Sequence, residues 1–320
     1  MADSPISLVI NLQTSSGRLP DARERILELC AAAHRAVRPT FAQGVTELVQ
    51  TVERALNAGA ARIVAGGGDG TLSAVAGVIQ GRDVPLGVLP LGSLNHFARD
   101  LGIPLELGDA FQVALGETES AVDVGEVNGR VFLNNLSLGV YPEIVRLRAL
   151  HPSRGLAKWL VALWATLREL WRARSFTVRI DVPGESVVRH TPILFLGNNR
   201  YRVTGVSGAS RDSLRSGVLA TYVVGTRSRW GLFRLGWRML LDRVRAGELE
   251  QLDSGAVTIE PLRGQVRAAL DGELVTLTSP LHCRSRPGAL RVMVPPVSVP
   301  SDDAPPPARR CTPTATRLPR

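Results

Sequence analysis

The sequence predicts an α/β plus β fold, in which a doubly wound α/β domain precedes a β-sandwich domain. Residues 5–115 alternate short apolar strands with segments of helical spacing, which favours a parallel sheet. From about residue 120 short strands follow one another, and from Pro295 the chain holds eight of its 21 prolines. We therefore expect an α/β domain at 1–121, a sandwich with two helices at 122–296 and a disordered Pro- and Arg-rich tail at 297–320.

Composition and cysteine content exclude several classes of protein. The 320 residues are 44% hydrophobic and 21% charged, which supplies enough apolar material for a core and excludes a fully disordered chain. The three cysteines, Cys30, Cys283 and Cys311, are scattered and odd in number, which argues against a disulfide framework and a zinc site. The sequence shows neither a signal peptide nor a run of about 18 apolar residues, so we expect a soluble cytoplasmic protein.

The N-terminal half consists, in chain order, of strands that alternate with helices. Apolar runs predict strands at 6–10, 61–65 and 84–89. Helical spacing of apolar residues predicts helices at 20–36, at 44–58, from about Thr71 and from Leu94. In a parallel sheet ligands bind at the carboxyl ends of the strands, so the loops that follow these strands form the candidate site.

The C-terminal half has the spacing of an antiparallel β domain. Short apolar segments predict strands at 122–125, 131–133, 176–180, 192–196, 218–224, 256–260, 265–270 and 289–294. Apart from two helices that carry tryptophan, this pattern is typical of a sandwich.

A glycine-rich loop follows the second predicted strand and precedes a helix. Its members are Gly66, Gly67, Gly68, Asp69, Gly70 and Thr71. Glycines let the backbone approach a phosphate closely, and N–H groups at the start of a helix bind anions. We expect Thr71 to cap the helix and to donate to a phosphate, and Asp69 to hold a magnesium ion or order a water. A plain glycine turn is the alternative interpretation of this loop.

A second loop, with Gly92, Ser93 and Asn95, follows the next strand and is expected beside the first. Two such loops at neighbouring strand ends favour a nucleotide cleft. Further walls are expected from Asn11, Ser16 and Gly17 after the first strand, and from Thr40 before a helix, although Thr40 alone is typical of a turn or cap. The GxxxxGK[ST] and GxGxxG patterns are absent from the sequence, so neither a P-loop nor a dinucleotide fold is predicted.

The net charge of +9 is concentrated in two segments, 154–174 and 229–245. Each carries five basic residues against one acidic residue, and together they hold all five tryptophans. Basic residues beside tryptophan and leucine on a helix indicate a surface that lies on anionic lipid. Ordinary helices that pack tryptophan into the core are the alternative. We expect no nucleic-acid partner, because no basic run or nucleic-acid motif is present in the sequence.

Four motifs in order resemble those of the diacylglycerol kinase catalytic family, especially its bacterial lipid-kinase branch. They are GGGDGTL (66–72), LPLGSLNHFARDLGIP (89–104), VDVGEVNGRVFLNNLSLGVYPEIV (122–145) and LDGE (270–273). The resemblance covers about residues 5–295. It implies a nucleotide-binding domain like those of phosphofructokinase and NAD kinase, a β-sandwich lipid-binding domain, and MgATP-dependent phosphorylation of a lipid hydroxyl between them.

The resemblance also implies roles for individual residues. Thr40, Gly66 to Thr71 and Ser93 would bind ATP, Asp271 would be the general base, and Glu273 would support it. Asp271 fits this role because it follows a strand and sits on a glycine turn, where a carboxylate can face a cleft. Because Asp-Gly strongly favours a hairpin turn, a structural turn is the alternative for this pair.

The chain departs from the family pattern where the family commonly carries other residues. The departures are Asn11-Leu12 for Asn-Pro, Ser73-Ala74 for Asn-Glu, Asn95-His96 for Asn-Asp, and Arg215-Ser216-Gly217 for acidic metal ligands, with Asp212 displaced nearby. We expect an ATP- and Mg²⁺-dependent lipid kinase, peripherally bound to the cytoplasmic face of a bacterial membrane and compatible with a homodimer. A regulatory relative that binds nucleotide or lipid without catalysis, and a soluble small-molecule kinase, stay open as alternatives.

Overall fold

The computed structural model describes residues 5–13, 19–150, 156–204, 208–211, 213–225, 228–241, 248–262 and 264–296. Three of the predictions above fall outside the described residues: Ser16, Gly17 and the tail at 297–320.

The N-terminal unit is a parallel sheet covered by helices. Its strands, in the order β2-β1-β3-β4, are β1 Ile6–Asn11, β2 Val37–Ala42, β3 Arg62–Gly67 and β4 Leu86–Pro90. Its helices are α1 Leu19–Ala32, α2 Val45–Asn57, α3 Asp69–Ile79, α4 His96–Asp100 and α5 Leu107–Leu115. β3 and β4 are buried along their whole length, as expected of strands in a parallel sheet with helices on its faces.

Thr40 lies inside a strand that the sequence analysis missed. It precedes α2, as expected, and it lies within β2, where it pairs with Val9 of β1. The sequence VRPTFA does not indicate a strand, because Pro39 has no backbone N–H to donate to a neighbouring strand. β2 is the edge strand of its sheet, where such a proline is tolerated.

The C-terminal half forms the expected sandwich. Its elements are β5 Glu119–Val127, β6 Arg130–Phe132, β7 Asn135–Gly139, α6 Val140–Leu150, α7 Leu156–Arg172, β8 Phe176–Val182, β9 Glu185–Thr191, β10 Ile193–Asn198, β11 Tyr201–Thr204, β12 Gly208–Arg211, β13 Leu219–Val224, α8 Arg229–Leu240, β14 Leu249–Ser254, β15 Ala256–Pro261, β16 Gln265–Leu270, β17 Glu273–Thr278 and β18 Leu281–Met293.

Two sheets face each other across one apolar core in this half. The first is six-stranded, with the order β14-β13-β10-β7-β16-β17 and antiparallel pairing throughout. Its Leu136 and Leu194 share a buried cluster with Ile180 of β8 and Ile259 of β15, which belong to the other sheet. Interdigitated side chains from two inner faces are the defining feature of a β-sandwich, so the predicted fold class is confirmed.

Strand β18 joins the two halves of the molecule. It runs antiparallel to β5 and β15 and also lies parallel to β4, with Val292 opposite Leu86. The parallel sheet therefore continues into one sheet of the sandwich, and the combined sheet has ten strands. The sequence predicted a boundary at 121/122, which stays a prediction. β5 spans that position, and its neighbour in the sheet comes from the far end of the described chain.

Candidate active site

The two predicted loops lie against each other at the carboxyl ends of β3 and β4. A Cβ atom added to Gly92 would lie 2.5 Å from the Cα of Gly68, so only glycine fits at this crossing. Asn95 adopts a left-handed backbone conformation, with φ of 52°. Its Nδ2 donates to the carbonyls of Pro90 (3.1 Å) and Gly92 (3.0 Å), which holds the second loop in shape.

The first loop ends at the N-terminus of α3, with Gly68 as the N-cap residue. Because glycine offers no capping side chain, the N–H groups of the first turn are free of a side-chain cap and suit an anion such as a phosphate. Asn11 at the end of β1 donates through Nδ2 to the Oγ1 of Thr71 (3.0 Å), and both residues are buried. The hydroxyl proton of Thr71 stays available as a donor. These groups fit the phosphates of a nucleotide.

Asp69 ties the two loops together. Its carboxylate accepts from the backbone N–H groups of His96 (3.1 Å) and Phe97 (2.9 Å) at the start of α4, and from Nδ2 of Asn134 (3.2 Å). The structure describes no group of three or more His, Cys, Asp or Glu side chains able to hold a metal ion. Mg²⁺ commonly binds one or two carboxylates together with phosphate oxygens and waters, so Asp69 fits a magnesium ion that enters with the nucleotide.

Asp271 occupies the two-residue turn between β16 and β17, where Leu270 pairs with Glu273. Asp271 and Gly272 both have positive φ, 48° and 82°, as a type I′ hairpin turn requires. The Asp271 side chain points into the protein, and the residue is only 9% exposed. The hairpin turn and the carboxylate facing a cleft were alternatives at the sequence level, and the structure combines them in one residue.

The Asp271 carboxylate accepts four hydrogen bonds. Oδ1 accepts from the N–H groups of Asn134 (2.7 Å) and Asn135 (2.9 Å), and Oδ2 accepts from the N–H of Leu133 (2.8 Å) and the hydroxyl of Ser73. Burial raises the pKa of Asp271, and these four donors lower it less than burial raises it. A carboxyl with a raised pKa is suited to accept a proton near neutral pH.

Glu273 lies beside Asp271 and against the glycine loop. Its carboxyl group packs on the Cα of Gly70, which leaves no space for a side chain at that position. Although the residue as a whole is exposed, burial of its carboxyl end raises its pKa, and the charge of Asp271 raises it further. Two neighbouring carboxyls with raised pKa values, next to a glycine loop at a helix N-terminus, are typical of a catalytic cleft.

Three residues of this cleft were not recognised as site residues from the sequence. Ser73 was noted only as a departure from a pattern, and Asn134 lay unassigned inside a quoted motif. Arg211 had no sequence signal, because one arginine among many does not stand out. The structure brings all three together with Asp69 and Asp271.

Comparison with known proteins places these residues in a family. The sequence profile of the diacylglycerol kinase catalytic domain matches residues 5–127, and that of the YegS C-terminal NAD kinase beta sandwich-like domain matches residues 146–294. A probable lipid kinase YegS-like protein of Chromohalobacter salexigens is 34% identical over 221 residues, which cover 67% of this chain and 69% of that protein. The chain belongs to the bacterial branch of the diacylglycerol kinase catalytic-domain family.

Other relatives match shorter parts of this family member. A probable lipid kinase YegS-like protein of Pseudomonas aeruginosa is 49% identical over 106 residues, or 32% of this chain and 34% of that protein. The probable lipid kinase YegS of Escherichia coli O127:H6 is 38% identical over 144 residues, or 43% of this chain and 47% of that protein. A crystal structure of a diacylglycerol kinase from Bacillus anthracis strain Sterne shares the fold, with a TM-score of 0.70 at 19% identity over 92% of this chain and 98% of that one.

Two departures of this family member lie at the candidate site. The hydroxyl of Ser73 donates to the carboxylate of Asp271. His96 has an exposed side chain, and it contributes its backbone N–H to Asp69.

In the departure at Arg215-Ser216-Gly217, Ser216 donates through its N–H to Oδ1 of Asn199 (3.0 Å) and Arg215 donates to the hydroxyl of Ser120. Asp212 lies outside the described residues. Because Arg215 places a positive charge where a cation would need carboxylates, we expect no second, tightly held metal ion in the segment 212–217, and this stays a prediction.

Helices α7 and α8 of the family member place tryptophan on the surface. Leu232 and Leu235 of α8 are buried with Leu170 of α7, which turns the aromatic face of α8 outward. Trp230 and Trp237 are 74% and 65% exposed. Two further tryptophans on α7, Trp164 and Trp171, are also exposed, whereas the side chain of Trp159 lies outside the described residues. The alternative interpretation required these tryptophans to pack into the core. The exposure of these four shows that they do not.

Aromatic rings and basic groups make these two helices one surface. The ring of Trp171 meets that of Trp230 edge-on, with centroids 6.1 Å apart, and both rings lie beside Phe233. The guanidinium of Arg168 lies 5.0 Å from the centre of the Trp164 ring. We call this set of residues on α7 and α8 the aromatic surface. Within the described residues, no helix is both long and apolar enough to cross a membrane.

Proposed function

We propose that the protein is a lipid kinase, which transfers the γ-phosphoryl group of MgATP to the hydroxyl group of a lipid. One observation carries the proposal: a buried carboxylate with a raised pKa, Asp271, hydrogen-bonds to Ser73 on the same helix whose N-terminus follows the glycine loop. The proposed base is thus hydrogen-bonded to the helix whose N-terminus forms the proposed phosphate site. Family membership and the names of the relatives support a lipid as the acceptor.

The nucleotide site in this proposal consists of backbone and small side chains. The first-turn N–H groups of α3 and the hydroxyl of Thr71 bind the phosphates, and Asn11 fixes the orientation of Thr71. The tight crossing of Gly68 and Gly92 keeps side chains away from the phosphates. Asp69 would hold Mg²⁺, which when bound would supply neutralisation of the negative charge on the transferring group.

In the reaction, the lipid hydroxyl oxygen attacks the γ-phosphorus, and the bond between that phosphorus and the bridging oxygen of ADP breaks. Asp271 accepts the hydroxyl proton through a carboxylate oxygen, so the products are a phosphorylated lipid, ADP and a protonated Asp271 that returns its proton to solvent. The raised pKa makes this carboxyl a stronger base than an exposed aspartate. Phosphoryl transfer needs little more than this, because positioning and charge stabilisation supply most of the catalysis.

The proposed kinase acts at the cytoplasmic face of a membrane, through its aromatic surface. Exposed tryptophans suit the membrane interface, and the exposed Arg172, Arg174 and Arg234 suit anionic head groups. Each arginine near such a surface adds about 1 kcal/mol of attraction, which salt screens. The chain has a formal charge of +9, so its overall field favours the same contact.

The activity is tested with radiolabelled ATP, a total lipid extract and the purified protein, with the products resolved by chromatography. We expect a labelled lipid whose formation needs Mg²⁺ and stops on chelation. A protein that binds ATP but labels no lipid would favour a regulatory relative. A labelled water-soluble product would favour a small-molecule kinase.

Membrane binding is tested separately by flotation with neutral and anionic vesicles. We expect the wild-type protein to float with anionic vesicles at low salt, and Trp230→Ala/Trp237→Ala to float less. Leu262→Ala is the matched control, because Leu262 is 83% exposed and lies outside the aromatic surface. Equal flotation with both vesicle types would contradict the electrostatic part of the proposal, and equal flotation of both variants would contradict the aromatic part.

A further inference from the structure

We propose that Arg211 is a positioning residue, which fixes the orientation of the Asn134 amide and thereby holds the carboxylates of Asp69 and Asp271 in place on the two sides of the cleft. The inference rests on the proposed function, since it takes Asp271 as the base. It adds a residue from β12 that touches neither carboxylate in the structure.

The guanidinium of Arg211 is enclosed by acceptors. Its side chain has no exposed surface, and Nε donates to Oδ2 of Asp100 (2.7 Å) at the end of α4. Its other donors reach the carbonyls of Leu133 (2.6 Å) and Asn198 (3.2 Å) and the Oδ1 of Asn134 (2.9 Å). A planar group with several donors in a fixed geometry can hold these acceptors at once, which a flexible ammonium cannot.

Asn134 connects the two carboxylates of the cleft. Its backbone N–H donates to Asp271 (2.7 Å), and its Nδ2 donates to Asp69 (3.2 Å). An amide can point either way, and only one orientation directs its NH₂ group at Asp69. Because Arg211 offers only donors to Oδ1 of Asn134, it selects that orientation. The opposite orientation would set oxygen against the Asp69 carboxylate and NH₂ against the guanidinium.

Arg211 also holds the backbone that carries the N–H donors of Asp271. Its bond to the Leu133 carbonyl fixes the start of the segment 133–135, whose three N–H groups all point at Asp271. The ion pair with Asp100 ties this segment to the nucleotide-binding half. Arg211 therefore links the base, the glycine loop and the helix that follows the second loop.

Other titratable groups lie near Asp271 and Arg211, and their charges determine how a substitution at Arg211 would affect the pKa of Asp271. Burial raises the pKa of Glu273, and the charge of Asp271 raises it further. Burial also raises the pKa of Tyr201 to about 12, so this residue, whose ring lies 5.7 Å from the Arg211 guanidinium, stays neutral. Asp100 balances the charge of Arg211. Loss of Arg211 therefore acts on Asp271 mainly through the displaced N–H donors, which lower the pKa of Asp271 when in place.

The test compares Arg211→Gln with Arg200→Gln in the full-length protein. Arg200 is the matched control, because it pairs with Asp253 (2.6 Å) at the surface, where it is mostly exposed. We expect kcat of Arg211→Gln to fall by about 10²-fold, the size of effect seen when reacting groups are misplaced by about 1 Å. We also expect the carboxyl carbon of Asp271, observed by ¹³C NMR, to titrate at higher pH, and the acidic limb of the kcat profile to move the same way.

A purely structural role predicts a different result. Arg211→Gln would then melt at lower temperature, while kcat per folded molecule and the titration of Asp271 would match those of the wild type, and the inference would be overturned. If Arg211→Gln does not fold, Arg211→Lys replaces it, with a smaller effect expected in the same direction. The double variant, in which Asn134→Ala is combined with the Arg211 substitution, should lose less kcat than the two single variants lose together, because both substitutions act through one contact. Additive effects would count against the inference.

Failure of the inference can be told apart from failure of the proposed function. If the wild-type protein phosphorylates no lipid, the proposed function fails. The NMR titration of Asp271 needs no turnover, so it still decides whether Arg211 positions that carboxylate. If lipid is phosphorylated but Arg211→Gln leaves the titration of Asp271 unchanged, the proposed function stands and the inference fails.

Discussion

At Asp271 a turn preference and a proposed catalytic role meet in one residue. The Asp-Gly pair was predictable as a hairpin turn from local sequence, because both residues must adopt positive φ. Its catalytic candidacy came only from the resemblance of LDGE to a family motif. The donors around it come from Ser73 and from residues 133–135, which are 198 and 136 to 138 positions away, so no local pattern could have shown them.

The first prediction concerns Asp271→Asn. The amide cannot take the hydroxyl proton, so we expect kcat to fall by about 10²–10⁴-fold with ATP affinity retained. The amide NH₂ cannot accept from the Leu133 N–H, and an unsatisfied buried donor costs about 1–3 kcal/mol. Steady-state kinetics beside thermal melting separates the two effects. Wild-type turnover in this variant would leave Asp271 with a turn role alone.

The contrast for that prediction is Asp69→Asn. An asparagine Oδ1 can still accept one of the two α4 N–H bonds, but the charge beside the phosphates is lost. We expect KM for MgATP to rise more than kcat falls. An Asp69→Asn protein with unchanged KM for MgATP would remove this residue from the nucleotide site.

The second prediction concerns the pH profile of Ser73→Ala. The Ser73 hydroxyl donates to Asp271 and lowers its pKa, so its removal raises the pKa of Asp271 further. Since the base acts in its ionised form, the acidic limb of kcat should move to higher pH. Ala74→Ser, which moves the hydroxyl one position along α3, is the control. An unmoved limb in Ser73→Ala would show that this bond does not tune the base.

At the scale of elements, the sequence predicted strands that carry short apolar segments and missed several others, among them the most polar. The predicted strands at 6–10 and 265–270 correspond to β1 and β16, whose inner residues are buried. The missed β9, with Glu185, Arg189 and His190, is a largely exposed strand of polar residues, which local composition assigns to a loop. α4 begins at His96 rather than at Leu94, because Asn95 takes a left-handed conformation that a helix interior excludes.

The third prediction concerns the crossing of the two loops and uses Gly92→Ala. The added methyl group would meet the backbone of Gly68 at 2.5 Å, and backbone cannot rotate away as a side chain can. We expect the loops to separate and ATP binding, measured by calorimetry, to weaken at least tenfold. Gly264→Ala is the control, because its added atom meets nothing within 4 Å. Unchanged ATP affinity in Gly92→Ala would mean that the loop crossing is not part of the nucleotide site.

At the scale of the whole molecule, β18 makes two units into one structure. Composition and element order predicted two domains, and this stays a prediction. One apolar cluster surrounds the parallel sheet and also includes Val122, Val124 and Leu290 from the C-terminal half, and a second cluster lies within the sandwich. The pairing of β18 with β4 could not be predicted, because it joins segments about 200 residues apart through backbone groups that carry no sequence signal. Sheet continuity across the halves is therefore a property of the tertiary fold alone.

The fourth prediction follows from that continuity. We expect thermal or urea unfolding to give a single transition, with circular dichroism and tryptophan fluorescence coincident, because neither half can lose β18 without exposing a sheet edge of the other. The two probes report on different parts of the molecule. Tryptophan fluorescence reports on the C-terminal half, where the four tryptophans with described side chains lie on α7 and α8, whereas circular dichroism also reports on the parallel sheet and helices of the N-terminal half. Two separated transitions would show that the halves unfold independently in spite of the shared strand.

The position of β18 has a consequence for synthesis on the ribosome. The chain emerges from its N-terminus, so β1 to β4 and their helices are complete long before residues 281–293 leave the exit tunnel. Until then β4 presents an unpaired edge, which is the feature by which nascent sheets associate with one another. At roughly 5–20 residues per second, this edge stays open for on the order of ten seconds or more, an interval in which a chaperone that shields strand edges would act. The strand that unites the finished molecule is thus also the one whose late arrival leaves the nascent chain most exposed to aggregation.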